Sequence, residues 1–219
     1  MNDPWRMGCG NIPPTTIQRL PLYLRCLIEA QAQRVPVINS VGIAEMAGTN
    51  AAQVRKDLSY LGELGTRGIG YDVDGLITHL ARRLGLTKTR RIAIAGFGRL
   101  GSALVTYPGF QDRGFEVVAV FETDPEKIGK PAMDGLAVSS IADIDRVVSE
   151  NDVEILIIAT PSNQAQSVAQ SAARAGVRAV LNFAPVQLNL PGGTAVRQAD
   201  LSTELQILSF YLTCEEART

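Results

Sequence analysis

The chain has 219 residues, enough for one large domain or two small ones, and its 46% hydrophobic and 20% charged content excludes a disordered chain or a coiled coil. No apolar run approaches the roughly 18 residues of a bilayer span, and the polar N-terminus is not a signal peptide, so a cytoplasmic protein without a membrane partner is expected. Three widely spaced cysteines, Cys9, Cys26 and Cys214, imply reduced thiols rather than a disulfide framework. The net charge of −1 conceals an asymmetry, because residues 1–91 carry 12 Lys+Arg against 7 Asp+Glu while residues 92–219 carry 9 against 15. A basic front and an acidic back suggest two modules, the first either facing a polyanion or simply well solvated.

Residues 1–14 lack periodicity and are expected to be disordered, with Pro13 and Pro14 stopping any early helix. From Thr15 onward Ile17, Leu20, Leu24, Leu27 and Ile28 share one helical face, and Pro21 either starts or kinks that helix. Arg19 and Arg25 lie off the stripe. Ser40 reads as the N-cap of a short helix ending at Gly48, and Asn50 with Gln53 as a capping box that restarts it. Two short helices about a glycine turn make a helix-turn-helix. The second, over residues 51–61, turns Val54, Leu58 and Leu61 inward and Gln53, Arg55, Lys56, Ser59 and Tyr60 outward, a polar and cationic face that fits the major groove. Residues 65–71 read as a tight hairpin with Arg67 at its tip, which after a recognition helix would be a wing; a small helical subdomain with a charged face is the alternative. A third helix over residues 75–84 carries His79, the only histidine, as surface or core rather than catalyst, and no metal site is expected.

Residues 92–95 read as a buried parallel strand that breaks into G-x-G-x-x-G: Gly96, Phe97, Gly98, Arg99, Leu100 and Gly101. In a dinucleotide fold the first glycine makes the turn, the second admits the pyrophosphate and the third lets helix and strand approach. The confirming feature is an acidic residue closing the next strand. Glu122 does so, 21 residues after Gly101, with Thr123 and Asp124 following it in the expected ribose-side loop. A carboxylate there accepts the ribose hydroxyls of NAD and repels the 2′-phosphate of NADP. The βα alternation then continues through a strand over residues 133–138, a helix over 141–149, a strand over 154–159, a helix over 164–175 and a strand over 178–182, which predicts a doubly wound parallel sheet. Thr160 and Pro161 fall at its carboxyl edge, a candidate lining for the nicotinamide side, and only one more helix is expected after the sixth strand. That helix, over residues 201–213, is apolar most of the way round, so it inserts into a second subunit or packs back on its own domain.

The strings at residues 53–62, 65–71, 96–101, 107–110 and 181–185 are similar to those of the Rex family of redox-sensing transcriptional repressors, over roughly residues 12–213. The resemblance implies a winged-helix DNA-binding domain over residues 12–86, a Rossmann domain binding NAD or NADH over 90–200, and a swapped dimerisation helix over 201–214. It implies a homodimer that binds palindromic operator DNA and leaves it when NADH rises. Matching residues place Tyr107 near the nicotinamide and join Arg19, Tyr107 and Asp200 in a polar relay. Members commonly carry Asp where this chain has Glu122, and some a Phe where it has Leu201. The alternatives are an NAD(P)-dependent oxidoreductase, against which stands the lack of an acid, base or nucleophile set, and a CoA- or nucleotide-binding regulator without redox sensitivity.

Overall fold

The computed structural model describes residues 12–66 and 68–216; the expected disorder over residues 1–11, Cys9 and Arg67 lie outside the described residues. The chain divides into two compact units between Lys88 and Thr89. Among the described residues no helix is long and apolar enough to cross a membrane, and no group of three or more His, Cys, Asp or Glu could hold a metal ion.

The first unit comprises α1 (Pro14–Ala32), β1 (Val37–Ile38), α2 (Ser40–Ala47), α3 (Ala51–Ser59), β2 (Tyr71–Asp72) and α4 (Val73–Arg83). Helix α1 begins with Pro14 in its first turn, where a missing N–H costs nothing, and runs through Pro21 without ending. Asn39 rather than Ser40 caps α2, accepting from the amides of Val41 and Gly42, and Gly48 ends it in the left-handed conformation at φ 63°. The two-residue strands pair antiparallel, and Thr66 bridges Gly70 to close the hairpin over residues 65–71.

The core of this unit is not wholly apolar. Leu20, Leu24 and Leu27 are buried as expected, whereas Ile17 and Ile28 are exposed and Thr16 and Tyr23 take the inward positions instead. Their partner is Asp57, which has no exposed surface and lies on the inner face of α3 beside Val54 and Leu58. The Asp57 carboxylate accepts from Thr16 Oγ1 at 2.7 Å, Tyr23 Oη at 2.8 Å and Gln53 Nε2 at 2.9 Å, and Arg19 grips both its oxygens, Nε to Oδ2 at 2.6 Å and Nη2 to Oδ1 at 2.8 Å. A buried carboxylate is tolerated only with this degree of pairing, and so the polar side chains of α1 rotate the whole helix toward α3.

The second unit contains β3 (Arg90–Ala95), α5 (Arg99–Val105), α6 (Pro108–Gln111), β4 (Phe115–Glu122), β5 (Pro131–Met133), β6 (Leu136–Ser140), α7 (Ile144–Glu150), β7 (Ile155–Ile158), α8 (Ser162–Arg174), β8 (Ala179–Asn182), β9 (Ala195–Gln198) and α9 (Leu201–Glu216). The sheet order is β5-β6-β4-β3-β7-β8-β9, parallel except for the edge strand β5. The order reverses at β3, whose neighbours are β4 and β7, so the crevice at its carboxyl end is the switch point where doubly wound sheets take ligands. Alternate strand residues face two cores. Ala93, Ala95, Phe121, Leu156 and Ile158 pack under α7 and α8, and Ile92, Ile94, Val120 and Ile157 pack with Val105 of α5.

Two expectations are corrected here. Residues 133–138 are not one strand but the turn of a hairpin, because Asp134-Gly135, with Gly135 at φ 75°, reverses the chain between β5 and β6. A further parallel strand, β9, also follows β8, pairing Ala179 to Asn182 with Ala195 to Gln198. Helix α9 does not pack back on its own domain: Leu201, Leu205, Ile207, Leu208, Phe210, Tyr211 and Leu212 are 44–68% exposed.

Burial alone would raise the Asp57 carboxyl, but the hydrogen bonds from Arg19, Thr16, Tyr23 and Gln53 outweigh it and hold the group at about 2 against an ordinary 3.8. A depressed folded-state value contributes stability above the unfolded value, which is lost as pH falls from 3.8 through about 2. The excess stability of the wild type over Asp57→Asn should therefore shrink by roughly 2 kcal/mol across that window in acid-titrated urea melts. Parallel curves for the two proteins would contradict the ion-pair account.

Candidate functional site

The glycine turn is fixed by backbone contacts. Gly96, at φ 97°, donates to the Phe121 carbonyl at 2.8 Å, and a Cβ there would stand 2.7 Å from the carbonyl oxygen of Ala159, so it is wedged between β4 and β7. A Cβ on Gly101 would overlap the carbonyl oxygen of Gly96. Gly98 differs. It is the extended N-cap of α5, is exposed, and a Cβ on it would meet nothing within 4 Å. The first-turn amides of α5 have no acceptor within the helix. An open cradle in front of unpaired amides fits a pyrophosphate, whose charge the helix start favours.

Glu122 closes β4 facing this turn. Its Oε2 accepts from the Phe97 amide at 2.9 Å, and its Oε1 from the Thr123 amide at 2.6 Å, the Asp124 amide at 3.2 Å and the Thr123 hydroxyl at 3.2 Å. Burial raises this carboxyl, and the amide hydrogen bonds more than reverse it, leaving it ionised below the usual carboxylate range. Lys127 Nζ lies 3.7 Å from both Glu122 and Asp124, so the negative charge at the end of β4 is partly balanced. Across the switch point Thr160 Oγ1 is buried with no hydrogen-bond partner among the described residues, a donor and acceptor aimed at nothing in the protein. Pro161 follows it as the exposed N-cap of α8, and Arg99 and Leu100 are exposed on the first turn of α5.

Tyr107 is not brought to the glycine turn. It lies past the far end of α5, stacked edge-on against Phe110 at 5.2 Å, and lines a 760 Å³ cavity with Arg91, Phe115 and Leu136 at the opposite, amino-terminal edge of the sheet. The reason is that seven residues of α5 run antiparallel to the strands and carry the chain back along them.

On the first unit, Arg55, Lys56, Ser59 and Tyr60 are exposed together on α3, and Arg55 Nη1 donates to Ser40 Oγ at 2.9 Å, which holds the guanidinium beside the start of α2. A groove of 790 Å³ runs from Asn39 and Ser40 past Arg55 and Ser59 to the hairpin over residues 65–71. Gln53 departs from the outward face expected of it. Its side-chain NH2 donates to the buried, charged Asp57 carboxylate at 2.9 Å instead of its oxygen accepting from the Asn50 backbone N–H, so only the Asn50 half of the capping box forms, Asn50 Oδ1 accepting from the Gln53 backbone N–H at 2.8 Å.

The Arg19 fork is held by Asp57, and the Asp200 carboxylate accepts from the Ser202 and Thr203 amides and the Thr203 hydroxyl at the start of α9. Sequence reasoning passed over Asp57, although its place between Val54 and Leu58 on an amphipathic helix, and Thr16, Arg19 and Tyr23 at helical spacing on α1, were the signal.

The chain matches two family models, "Putative DNA-binding protein N-terminus" over residues 11–59 and "CoA binding domain" over residues 87–186. It is 49% identical to the redox-sensing transcriptional repressor Rex of Streptomyces griseus, over 91% of this chain and 79% of that protein. It is 48% identical to that of Desulforamulus reducens, over 96% of this chain and 100% of that protein. Its fold is similar to the crystal structure of RSP, a Rex-family repressor, in complex with β-NAD+ and operator DNA, with a TM-score of 0.88 at 33% identity over 95% of each chain. It is also similar to RSP in complex with β-NADH, with a TM-score of 0.86 at 32% identity over 95% of this chain and 97% of that one. With the helix-turn-helix, the open glycine cradle and this degree of identity along nearly its whole length, the chain belongs to the Rex family of redox-sensing transcriptional repressors.

Proposed function

We propose that this protein is a homodimeric cytoplasmic repressor that holds palindromic operator DNA through α3 and the hairpin over residues 65–71, Arg67 included, and releases it when NADH replaces NAD in the second unit. The observation that carries this reading is that one chain joins an exposed cationic helix face to a glycine turn whose middle glycine opens on empty space. The relatives at 48–49% identity are named as repressors, which supports regulation rather than catalysis.

A bound dinucleotide supplies a nicotinamide ring that is cationic when oxidised and neutral when reduced. The amides of Arg99, Leu100 and Gly101 and the Gly98 backbone would hold its pyrophosphate, Glu122 with Thr123 and Asp124 its adenosine ribose, and Thr160 and Pro161 the nicotinamide side. The Glu122 charge favours NAD(H) over NADP(H), with Lys127 moderating the preference. Arg55 and Lys56 offer guanine or phosphate contacts, and Ser59 and Tyr60 shorter ones.

The exposed apolar face of α9 supports exchange of this helix with a second copy, since a contiguous patch of that size on a lone chain is a liability. Exchange would carry Asp200 into the partner. Arg19, whose side chain is 29% exposed, and Tyr107, which is 48% exposed, remain open to such a helix, so we assign these three to the relay between the sites.

NADH fluorescence titrated with and without an operator duplex should show mutual exclusion without turnover, and Gly98→Ala should fold normally yet lose NADH affinity and with it NADH-dependent release; simultaneous binding of both ligands overturns the reading. In the DNA site, Arg55→Ala should cost about 1–3 kcal/mol of operator binding and relax specificity, while Lys56→Ala should weaken all sequences evenly and lower the salt slope by about one. In sedimentation, Leu208→Glu on α9 should convert dimer to monomer, and an unchanged dimer would place the interface elsewhere.

A further inference from the structure

Helix α3 has two faces, and each holds a charged side chain from the argument above. Outward are Arg55, Lys56 and Ser59; inward is Asp57, fully buried and held by five hydrogen bonds, four of them from α1. The five bonds come from four side chains that differ in what they can do. Thr16, Tyr23 and Gln53 are neutral, so they satisfy oxygens without cancelling charge. Arg19 alone brings a full positive charge, and among the donors on α1 it alone reaches the surface, with 29% of its side chain exposed against none for Asp57. The pair is therefore a link from the outside of α1 to the inside of the recognition helix.

We propose that Asp57 is the positioning residue through which the state of Arg19 sets the operator-binding geometry of α3, so that Arg19 acts as a handle and Asp57 as its anchor. The proposal rests on the repressor reading above and supplies its step within the DNA-binding unit. A carboxylate that draws Arg19 away leaves Asp57 buried with three neutral donors and an uncompensated charge. Removing one member of a buried pair is strongly unfavourable, and the relief available is for α3 to move until Asp57 reaches water. Because Asp57 is one residue from Lys56 and two from Arg55, any such movement displaces the DNA face with it. Gln53 bonds the same carboxylate at 2.9 Å from within α3, so it travels with Asp57 and the tie between the two helices is left to Thr16, Arg19 and Tyr23.

The test is the ratio of operator Kd with saturating NADH to operator Kd without it, measured on the full-length protein together with NADH affinity in the absence of DNA. Asp57→Asn keeps the shape but not the charge, and it should cut that ratio by about fivefold or more while NADH affinity without DNA stays at the wild-type value. Tyr23→Phe removes one neutral donor from the same carboxylate and should keep the ratio, which separates loss of the ion pair from general loosening of the core. Arg19→Lys decides the matter should Asp57→Asn not fold. A lysine still offers a charge to a carboxylate elsewhere but cannot grip both Asp57 oxygens, so the ratio should fall here too. A wild-type ratio in either Asp57→Asn or Arg19→Lys, or an equal fall in Tyr23→Phe, overturns the proposal. If the wild type itself keeps its operator affinity in NADH, the repressor reading fails; if the wild type releases and the variants release equally, only the role of Asp57 does.

Discussion

The organisation of the DNA-binding unit depends on one buried carboxylate. Asp57 has no exposed surface, and an ionised group in that position is stable only while its donors surround it. The requirement reaches far along the chain, since it turns Thr16 and Tyr23 inward, exposes Ile17 and Ile28, and diverts Gln53 from the surface that its place on α3 would otherwise give it. An apolar cluster of the same volume would hold α1 to α3 at least as well, because a buried ion pair seldom outperforms good packing. What the polar cluster adds is direction. Leucines accept many relative rotations of two helices, whereas four hydrogen bonds of 2.6–2.8 Å between them accept one.

The second unit is built on the opposite principle. Its glycine turn is shaped by where side chains cannot go: Gly96 against Ala159, Gly101 against Gly96, both by backbone contact, leaving Gly98 as the one position with room in front of it. Backbone-limited sites of this kind have little freedom to deform, so the turn presents the same cradle whatever occupies it. Glu122 is the one side chain that spans turn and strand end, and most of its acceptor capacity is already committed to amides. Both units thus hold their exposed groups in one arrangement, the first by hydrogen bonds to a buried charge and the second by backbone contact.

Much of this was legible in the sequence for physical reasons. The buried strands, the G-x-G-x-x-G break and the spacing to Glu122 are one-dimensional records of a parallel sheet and its crevice, and the alternation of apolar faces placed α3 with its cationic side outward. The rest failed where a short-range pattern was overruled by a partner distant in sequence. Gln53 follows Asn50 with capping-box spacing, yet a charged acceptor one turn on captures it. Tyr107 sits close to the glycines in sequence, yet the direction of α5 takes it to the far edge of the sheet. The strand β9 is short and half polar, and its pairing with β8 is set by register across sixteen residues rather than by its own composition.

The apolar surface left over argues for what completes the molecule. Seven large side chains on α9 are 44–68% exposed, and covering each is worth about 1 kcal/mol when roughly half of a full burial of 1.5–3 kcal/mol remains to be gained. Exchange in a two-fold dimer covers both copies, so the total is on the order of 14 kcal/mol, comparable to the upper end of the roughly 4–15 kcal/mol cost of bringing two chains together. The sheet adds further apolar surface: on the face that α5 and α6 cover, Ile155, Leu181 and Phe183 stay half-buried, whereas α7 and α8 close the other face. A second copy laid on that open face would cover the strands and α9 in one association, and an interface that joins a sheet face to an exchanged helix has the continuous apolar core of a permanent dimer.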